Sequence, residues 1–201
     1  MQSRKILLTI VLVAVGLISF SFSSNNDSSV DTQKTVKWMS MQEAIDLNKT
    51  EPRKVIVDIY TDWCFWCKKM DEATFQHPEI VDYINDNFYA VKLDAQMEES
   101  VFFKNNEYYF DTKDLGGFHE MAFYLTRGRL SFPSVVFLDE LMNNPQPIAG
   151  FQRPVDMDKL LKFFGDNYYK QMDWYRFNLL YPELDNKLGV KSPNRFVIGG
   201  K

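Results

Sequence analysis

Cysteine and histidine are the scarcest chemistry-bearing residues of this 201-residue chain, which carries 2 of each. Two cysteines cannot make the dense cross-linking of a small disulfide scaffold. Two cysteines and two histidines leave material for one zinc site at most. An excess of positive charge is missing as well. The 23 basic residues face 27 acidic ones, a formal net charge of −4, which argues against nucleic-acid binding through phosphate neutralisation. Core-forming residues, by contrast, are plentiful. Hydrophobic residues make up 45% and aromatics 15%, whereas disordered chains are poor in aromatic and β-branched residues. There is no internal repeat, and the length fits one domain with appendages.

Long apolar runs are lacking except for one. Met1-Gln2-Ser3-Arg4-Lys5 carries two positive charges, residues 6–20 are apolar apart from Thr9, Gly16 and Ser19, and a Ser/Asn-rich stretch follows. These are the n-region, h-region and small-residue boundary of an export signal, and Ser21 and Ser23 can fill the small positions before a cut. A spanning helix needs roughly 20 residues, so residues 1–23 read as a cleavable signal peptide, with an uncleaved N-terminal anchor as the alternative. No cysteine follows the run, which excludes a lipid-modified cysteine there. The protein is therefore expected to be exported, working in the periplasm. Residues 24–35 read as a flexible linker, 36–172 as the folded domain and 173–201 as a C-terminal tail.

Within the domain the pattern alternates between strand and helix. Ser40 followed by Glu43 is a capping-box pair that opens a helix. Residues 54–60 (KVIVDIY) are an almost continuous β-branched run, as expected of a strand buried on both faces. A helix follows from the cysteines to about Thr74. Another starts at Pro78 with Ile80, Val81 and Ile84 inward. Residues 88–93 (FYAVKL) predict a second buried strand, parallel to the first through a right-handed crossover. Residues 95–114 are an added block. There Val101-Phe102-Phe103 and Tyr108-Tyr109-Phe110 flank Lys104-Asn105-Asn106-Glu107, predicting a β-hairpin with a short polar turn. A helix over 118–127 closed by Gly128, a strand over 134–138 after Pro133, a short strand near Ile148 and a helix from Asp156 to about Tyr169 complete the domain. The tail from Asp173 reads as aromatic and then loop-like. The class is α/β.

Cys64 and Cys67 stand three apart, after a buried strand and at the start of a helix. The free N–H groups and partial positive charge of a helix N-terminus stabilise a thiolate there and lower its pKa. One helical turn separates the sulfurs, so the pair suits a nucleophile and a resolving thiol. Three other readings compete. A structural disulfide closing so small a loop would contribute only about 2 kcal/mol. A zinc site would enlist Cys64, Cys67, His77 and His119, yet structural roles explain both histidines, His77-Pro78 at a helix N-cap and His119 within an amphipathic helix. The third has incidental cysteines in a degenerate fold.

Asp58 is the one carboxylate within KVIVDIY. Unpaired burial would raise its pKa and let it exchange a proton near neutral pH; alternatively, backbone N–H groups satisfy it at a strand edge. Lys92 in the neighbouring strand is either its ion partner or a snorkelling surface lysine. Pro133 stands at the first position of a buried strand, where proline is allowed.

The run Val57-Asp58-Ile59-Tyr60-Thr61-Asp62-Trp63-Cys64-Phe65-Trp66-Cys67-Lys68, with Phe132-Pro133-Ser134 further on, resembles the active-site segment and cis-proline loop of the thioredoxin superfamily. Its Trp-Cys-x-Trp-Cys-Lys-Lys-Met pattern is similar to that of exported thioredoxin-like proteins of Bacteroidetes type. The resemblance implies a thioredoxin fold, a central mixed sheet flanked by helices with the inserted hairpin, and a cis Phe132–Pro133 bond. It also implies a thiol–disulfide oxidoreductase, favoured in the reducing direction, with Cys64 as nucleophile, Cys67 as resolving thiol and Asp58 as proton acceptor. Trp63, Phe65, Trp66, Phe132 and Pro133 are then the substrate-binding residues. No metal and no cofactor beyond the redox-active disulfide Cys64–Cys67 is expected. The expected partners are protein or small-molecule disulfides and a membrane disulfide reductase as electron donor; the protein is expected to be a monomer. Two departures stand out: Phe65-Trp66 replaces the Gly-Pro of thioredoxins proper, and the 95–114 block is inserted. A thioredoxin-fold binding or chaperone module without redox turnover is the alternative, and peroxide reduction a further one.

Overall fold

A computed structural model describes residues 34–187 of the chain. The expected signal peptide at 1–23, the linker up to residue 33 and the tail beyond residue 187 lie outside the described residues.

The chain enters through a two-residue strand β1 (Trp38–Met39) and helix α1 (Met41–Asn48), opened by the expected capping box. Glu43 N–H donates to Ser40 Oγ at 3.2 Å and Ser40 N–H to Glu43 Oε2 at 2.7 Å. Strand β2 (Lys54–Tyr60) is followed by α2 (Phe65–Ala73), α3 (Pro78–Asn87) and β3 (Phe88–Asp94). Four short strands come next: β4 (Val101–Phe103), β5 (Asn106–Tyr108), β6 (Phe110–Asp111) and β7 (Phe118–His119). After them stand α4 (Glu120–Leu125), β8 (Ser134–Leu138), β9 (Gln146–Ala149) and α5 (Pro154–Gly165).

The main sheet runs β1-β3-β2-β8-β9. β2 lies parallel to β3, with Asp58 opposite Lys92, and antiparallel to β8. Successive β2 side chains alternate between two cores. Val55, Val57 and Ile59 pack with Met41, Ala44 and Ile45 of α1 and with Met121, Ala122 and Leu125 of α4. Ile56 faces the other way, toward Met70 of α2, Ile80 and Ile84 of α3, and Leu161 of α5. Burial on both faces is why KVIVDIY is apolar nearly throughout. Asp58 lies on the Ile56 face, beneath the cysteine-bearing side of the sheet. This is the thioredoxin fold, a mixed sheet between helices.

The insertion departs from its sequence reading in detail. A hairpin does form from β4 and β5, but its turn is two residues long. Lys104 and Asn105 take positive φ values of 51° and 63°, the twist that suits a two-residue hairpin. Asn106 and Glu107 therefore belong to the ladder, opposite Phe103 and Phe102. A second small ladder pairs β6 with β7, so the helix expected from residue 118 begins at Glu120. His119 is the reason. It is fully buried and caps α4, its Nδ1 accepting from Met121 N–H at 3.0 Å and its Nε2–H donating to Glu99 O at 3.1 Å. Burial pushes its pKa below the ordinary value and keeps the ring neutral.

The last helix of the sequence reading is also corrected. α5 stops at Gly165, and a 3-10 turn (Tyr168–Lys170) follows. The region read as loop-like after Asp173 contains helix α6 (Trp174–Lys187). Phe177 is fully buried there, with its ring centroid 5.0 Å from Phe163, 5.1 Å from Tyr168 and 5.3 Å from Tyr181. Trp174, Phe177 and Tyr181 are spaced i, i+3, i+7, one face of a helix.

Candidate active site

β2 delivers the chain to the mouth of the site. After Tyr60 the loop turns through Thr61, whose carbonyl accepts from Cys64 N–H at 3.0 Å. Cys64 is then the N-cap of α2, and its sulfur accepts from Cys67 N–H at 3.1 Å. The two cysteines are joined as a disulfide with a Cα–Cα distance of 5.3 Å. In this state both residues are buried, Cys64 at 5% exposure and Cys67 at 2%, so Cys64 is less open than its position in the sequence suggests. What separates the two is the backbone. Cys64 is the N-cap of α2 and its Sγ accepts the Cys67 N–H, so reduction would leave a thiolate at the positive end of the helix.

Bulky side chains rise around this buried disulfide. Trp63, Phe65 and Trp66 are 63%, 62% and 57% exposed. Trp63 meets Phe132 edge-on at 5.7 Å. The Phe132–Pro133 bond is cis, as the resemblance implies. On the other side Phe65 meets Trp66 at 5.5 Å, and Trp66 meets Phe151 at 5.7 Å. Phe151 follows Gly150, whose N–H donates to Pro133 O at 2.8 Å and whose φ of 91° suits glycine. Four of the five residues expected to contact substrate thus form two aromatic pairs, Trp63 with Phe132 and Phe65 with Trp66, and Pro133 follows Phe132 through the cis bond. Phe151, which the sequence did not single out, adds a third ring to the second pair.

Below α2 lies a charge cluster that is buried at Asp58 and half-buried at Lys92 and Asp71. Lys92 Nζ donates to Asp58 Oδ2 at 2.6 Å and also to Asp71. Asp71 is one helical turn beyond Cys67, so the cluster ties β2 and β3 to the underside of the cysteine helix. Lys92 is the ion partner of Asp58 rather than a surface lysine. Its ammonium also lies 5.1 Å from the ring centres of Trp38 and Tyr60 and 5.7 Å from that of Phe75, a cation–π cage. Burial works to lower its pKa, but the two carboxylates outweigh that and hold it above the ordinary value.

Asp58 is fully buried, and its second oxygen, Oδ1, has no hydrogen-bond partner. Burial pushes its carboxyl up to about 6 against the pull of Lys92. A carboxyl titrating there can give and take a proton near neutral pH, and Oδ1 is the oxygen free to do so. Asp71 and the cage escape a reading of the sequence because one acid in an amphipathic helix looks like any surface acid. Its i+4 spacing from Cys67 is the available signal.

The four zinc candidates are accounted for differently. The cysteines bond each other, His119 uses Nδ1 in the α4 cap and Nε2–H on Glu99 O, and His77 opens α3 at its N-cap.

Comparison with known proteins fits this geometry. The family model Thioredox_DsbH, described as a protein of unknown function, DUF255, matches residues 27–147. Spermatogenesis-associated protein 20 of Rattus norvegicus is 35% identical over 60 residues, covering 30% of this chain and 8% of that protein. Thiol:disulfide interchange protein DsbD of Pseudomonas fluorescens is 28% identical over 78 residues, covering 38% of this chain and 13% of that one. The chain thus spans a small part of either relative's length. Among solved structures, a thioredoxin-fold protein from Helicobacter pylori aligns over 80% of this chain and 96% of its own, at 15% identity and a TM-score of 0.50.

Proposed function

We propose, from the premise that this chain belongs to the Thioredox_DsbH family, that it is an exported thiol–disulfide oxidoreductase cycling the Cys64–Cys67 pair between dithiol and disulfide. The observation that carries this reading is the pair itself: two cysteines bonded to each other at the N-terminus of α2, over a buried carboxyl whose pKa is about 6. The printed name of the DsbD relative, a disulfide interchange protein, supports it.

In the reducing direction the Cys64 thiolate attacks one sulfur of a substrate disulfide. A Cys64–substrate bond forms, the substrate S–S bond breaks, and the displaced sulfur leaves as a thiolate that takes up a proton. Cys67 then gives its proton to Asp58 and attacks Cys64 Sγ. The mixed disulfide breaks, the second substrate sulfur leaves and is protonated, and the Cys64–Cys67 disulfide forms. Two electrons have passed to the substrate. A thiol donor, such as a membrane disulfide reductase, returns them. Trp63, Phe65, Trp66, Phe132 and Pro133 form the surface on which substrate lies. In this reading the chain is a monomeric periplasmic domain of Bacteroidetes type, delivered by its N-terminal segment.

The test is turnover and potential together. The full chain should catalyse reduction of insulin by dithiothreitol, and its dithiol pair should equilibrate with glutathione. A potential near about −270 mV fixes a reductase and one near about −120 mV an oxidant. Absence of turnover with a reducible Cys64–Cys67 pair would leave a binding module in its place.

A further inference from the structure

Four contacts close a ring around one flank of the disulfide. Trp63 Nε1–H donates to Gln96 Oε1 at 2.8 Å, and Gln96 Nε2–H donates to Gly117 O at 3.4 Å. Phe118, the next residue, lies 5.5 Å from Phe132 between ring centres, and Phe132 meets Trp63 edge-on at 5.7 Å. Two members belong to the loops before Cys64 and Pro133. The others are Gln96, at the start of the 95–114 insertion, and Gly117-Phe118, just beyond its end.

Those ends are themselves fixed. Gln96 N–H donates to Asp94 Oδ1 at 2.9 Å, Ala95 N–H to Tyr60 O at 2.8 Å, and His119 N–H to Ala95 O at 2.7 Å. Trp63 is 63% exposed, and an indole that open would sample several rotamers if nothing held it. Here a hydrogen bond holds its N–H while Phe132 meets its ring at an interplanar angle of 88°.

We propose that the insertion is a brace for the substrate-reading surface, with Gln96 and Phe118 as positioning residues that preset Trp63 and Phe132 for a polypeptide disulfide. The inference rests on the oxidoreductase reading. A small disulfide reaches Cys64 without lying across these rings. A polypeptide must lay its main chain against them, and every side chain it has to order on docking weakens binding. Presetting the rings therefore acts on KM for polypeptides and leaves chemistry at the sulfur alone. The sequence could not show this, because Gln96 looks like a polar loop residue and its partner lies 33 residues away.

The experiment compares the full chain with its Gln96→Ala, Gln96→Glu and Phe118→Leu variants. Insulin is the polypeptide substrate and glutathione disulfide the small one, with near-UV circular dichroism reporting Trp63, assigned by difference against Trp63→Phe. Gln96→Ala should raise KM for insulin about fivefold, the size of one neutral hydrogen bond, while turnover of glutathione disulfide stays within about twofold. The Trp63 band should weaken in the same variant. Gln96→Glu keeps the oxygen that accepts from Trp63 and loses the donor to Gly117 O, so it should restore the band and the part of the insulin KM that rests on the Trp63 bond. Phe118→Leu should shift KM in the same direction as Gln96→Ala. Equal losses on both substrates, or an unchanged insulin KM, overturn the brace. If the unaltered chain reduces neither substrate, the oxidoreductase reading falls by itself. The brace is then decided by the band: its loss in Gln96→Ala with return in Gln96→Glu sustains it, and an unmoved band overturns it.

Discussion

Asp58 and Lys92 stand directly opposite one another in the β2–β3 ladder, and their charged ends meet at 2.6 Å. In a parallel ladder, opposed residues project to the same face, so the pairing register alone brings the two groups together under α2. The Asp71 carboxylate completes the arrangement from above. One cation thus serves two acids, and only Asp58 is wholly cut off from water.

Asp58 should make stability depend on pH in a direction opposite to an ordinary ion-paired acid. Its carboxyl is raised in the folded state from 3.8 to about 6, so the folded chain holds the proton more tightly than the unfolded one. Stability should fall as pH rises from about 4 to about 6 and level off above, with a span of about 3 kcal/mol. Urea unfolding at a series of pH values measures this. Asp58→Asn should remove the slope, and a slope that survives the substitution belongs to another group.

The same substitution separates the two half-reactions. Asp58→Asn should slow the release of a preformed mixed disulfide by Cys67 while sparing attack by Cys64. Stopped-flow tryptophan fluorescence on each step reads the difference. Equal slowing of both would make Asp58 a structural residue.

Removing the cation should be far worse than removing the acid. Lys92→Met leaves Asp58 buried with no compensating charge, a loss of about 3 to 5 kcal/mol. The double variant Asp58→Asn/Lys92→Met should recover much of it, since neither charge is then left alone in the interior. Additive losses in the double variant would show that the pair is not coupled.

Cys64 should be the first thiol to react after reduction. Iodoacetamide at about pH 6.5 should modify it ahead of Cys67, because the α2 N-terminus favours its thiolate. Peptide mapping gives the order. Cys67→Ala should then hold partners as mixed disulfides that dithiothreitol releases, and preferential labelling of Cys67 would reverse the assignment.

Phe177→Ala should cost about 3 to 5 kcal/mol, the range for a large aromatic removed from a packed interior. Denaturant melts of the full chain measure it. A loss below about 1 kcal/mol would mean that α6 merely rests on α5.

Much of this architecture is written locally. KVIVDIY, FYAVKL and SVVFL are β-branched or aromatic runs because both faces of those strands are covered, and Ser40 with Glu43 announces α1. The elements that escape detection depend on distant partners. α6 carries Pro182, and proline inside a helical pattern argues against a helix; what holds α6 is burial of Phe177 among rings of α5 and the turn after it. His119 reads as a residue within a helix because nothing near it reveals that Glu99, 20 residues earlier, accepts from its ring. In the site, the cysteines are legible by their spacing, Asp58 as the one carboxylate in an apolar strand, and Pro133 through the resemblance. Asp71, Gln96 and Phe151 are not, since each acts only through a contact made in three dimensions.

The clip between Ala95 and His119 makes the insertion a detour that returns to its own starting point. Val101 and Phe103 bury the base of the hairpin against the sheet, its tip pairs only with itself, and doubling a flexible loop adds only about 0.6 kcal/mol of closure entropy. The Lys104–Asn105 turn is therefore a natural splice point: Lys104 reaches Asn143, beyond the end of β8 that pairs with the start of β2, so a peptide epitope or a small reporter domain grafted there would ride at the end of the sheet away from the reactive disulfide.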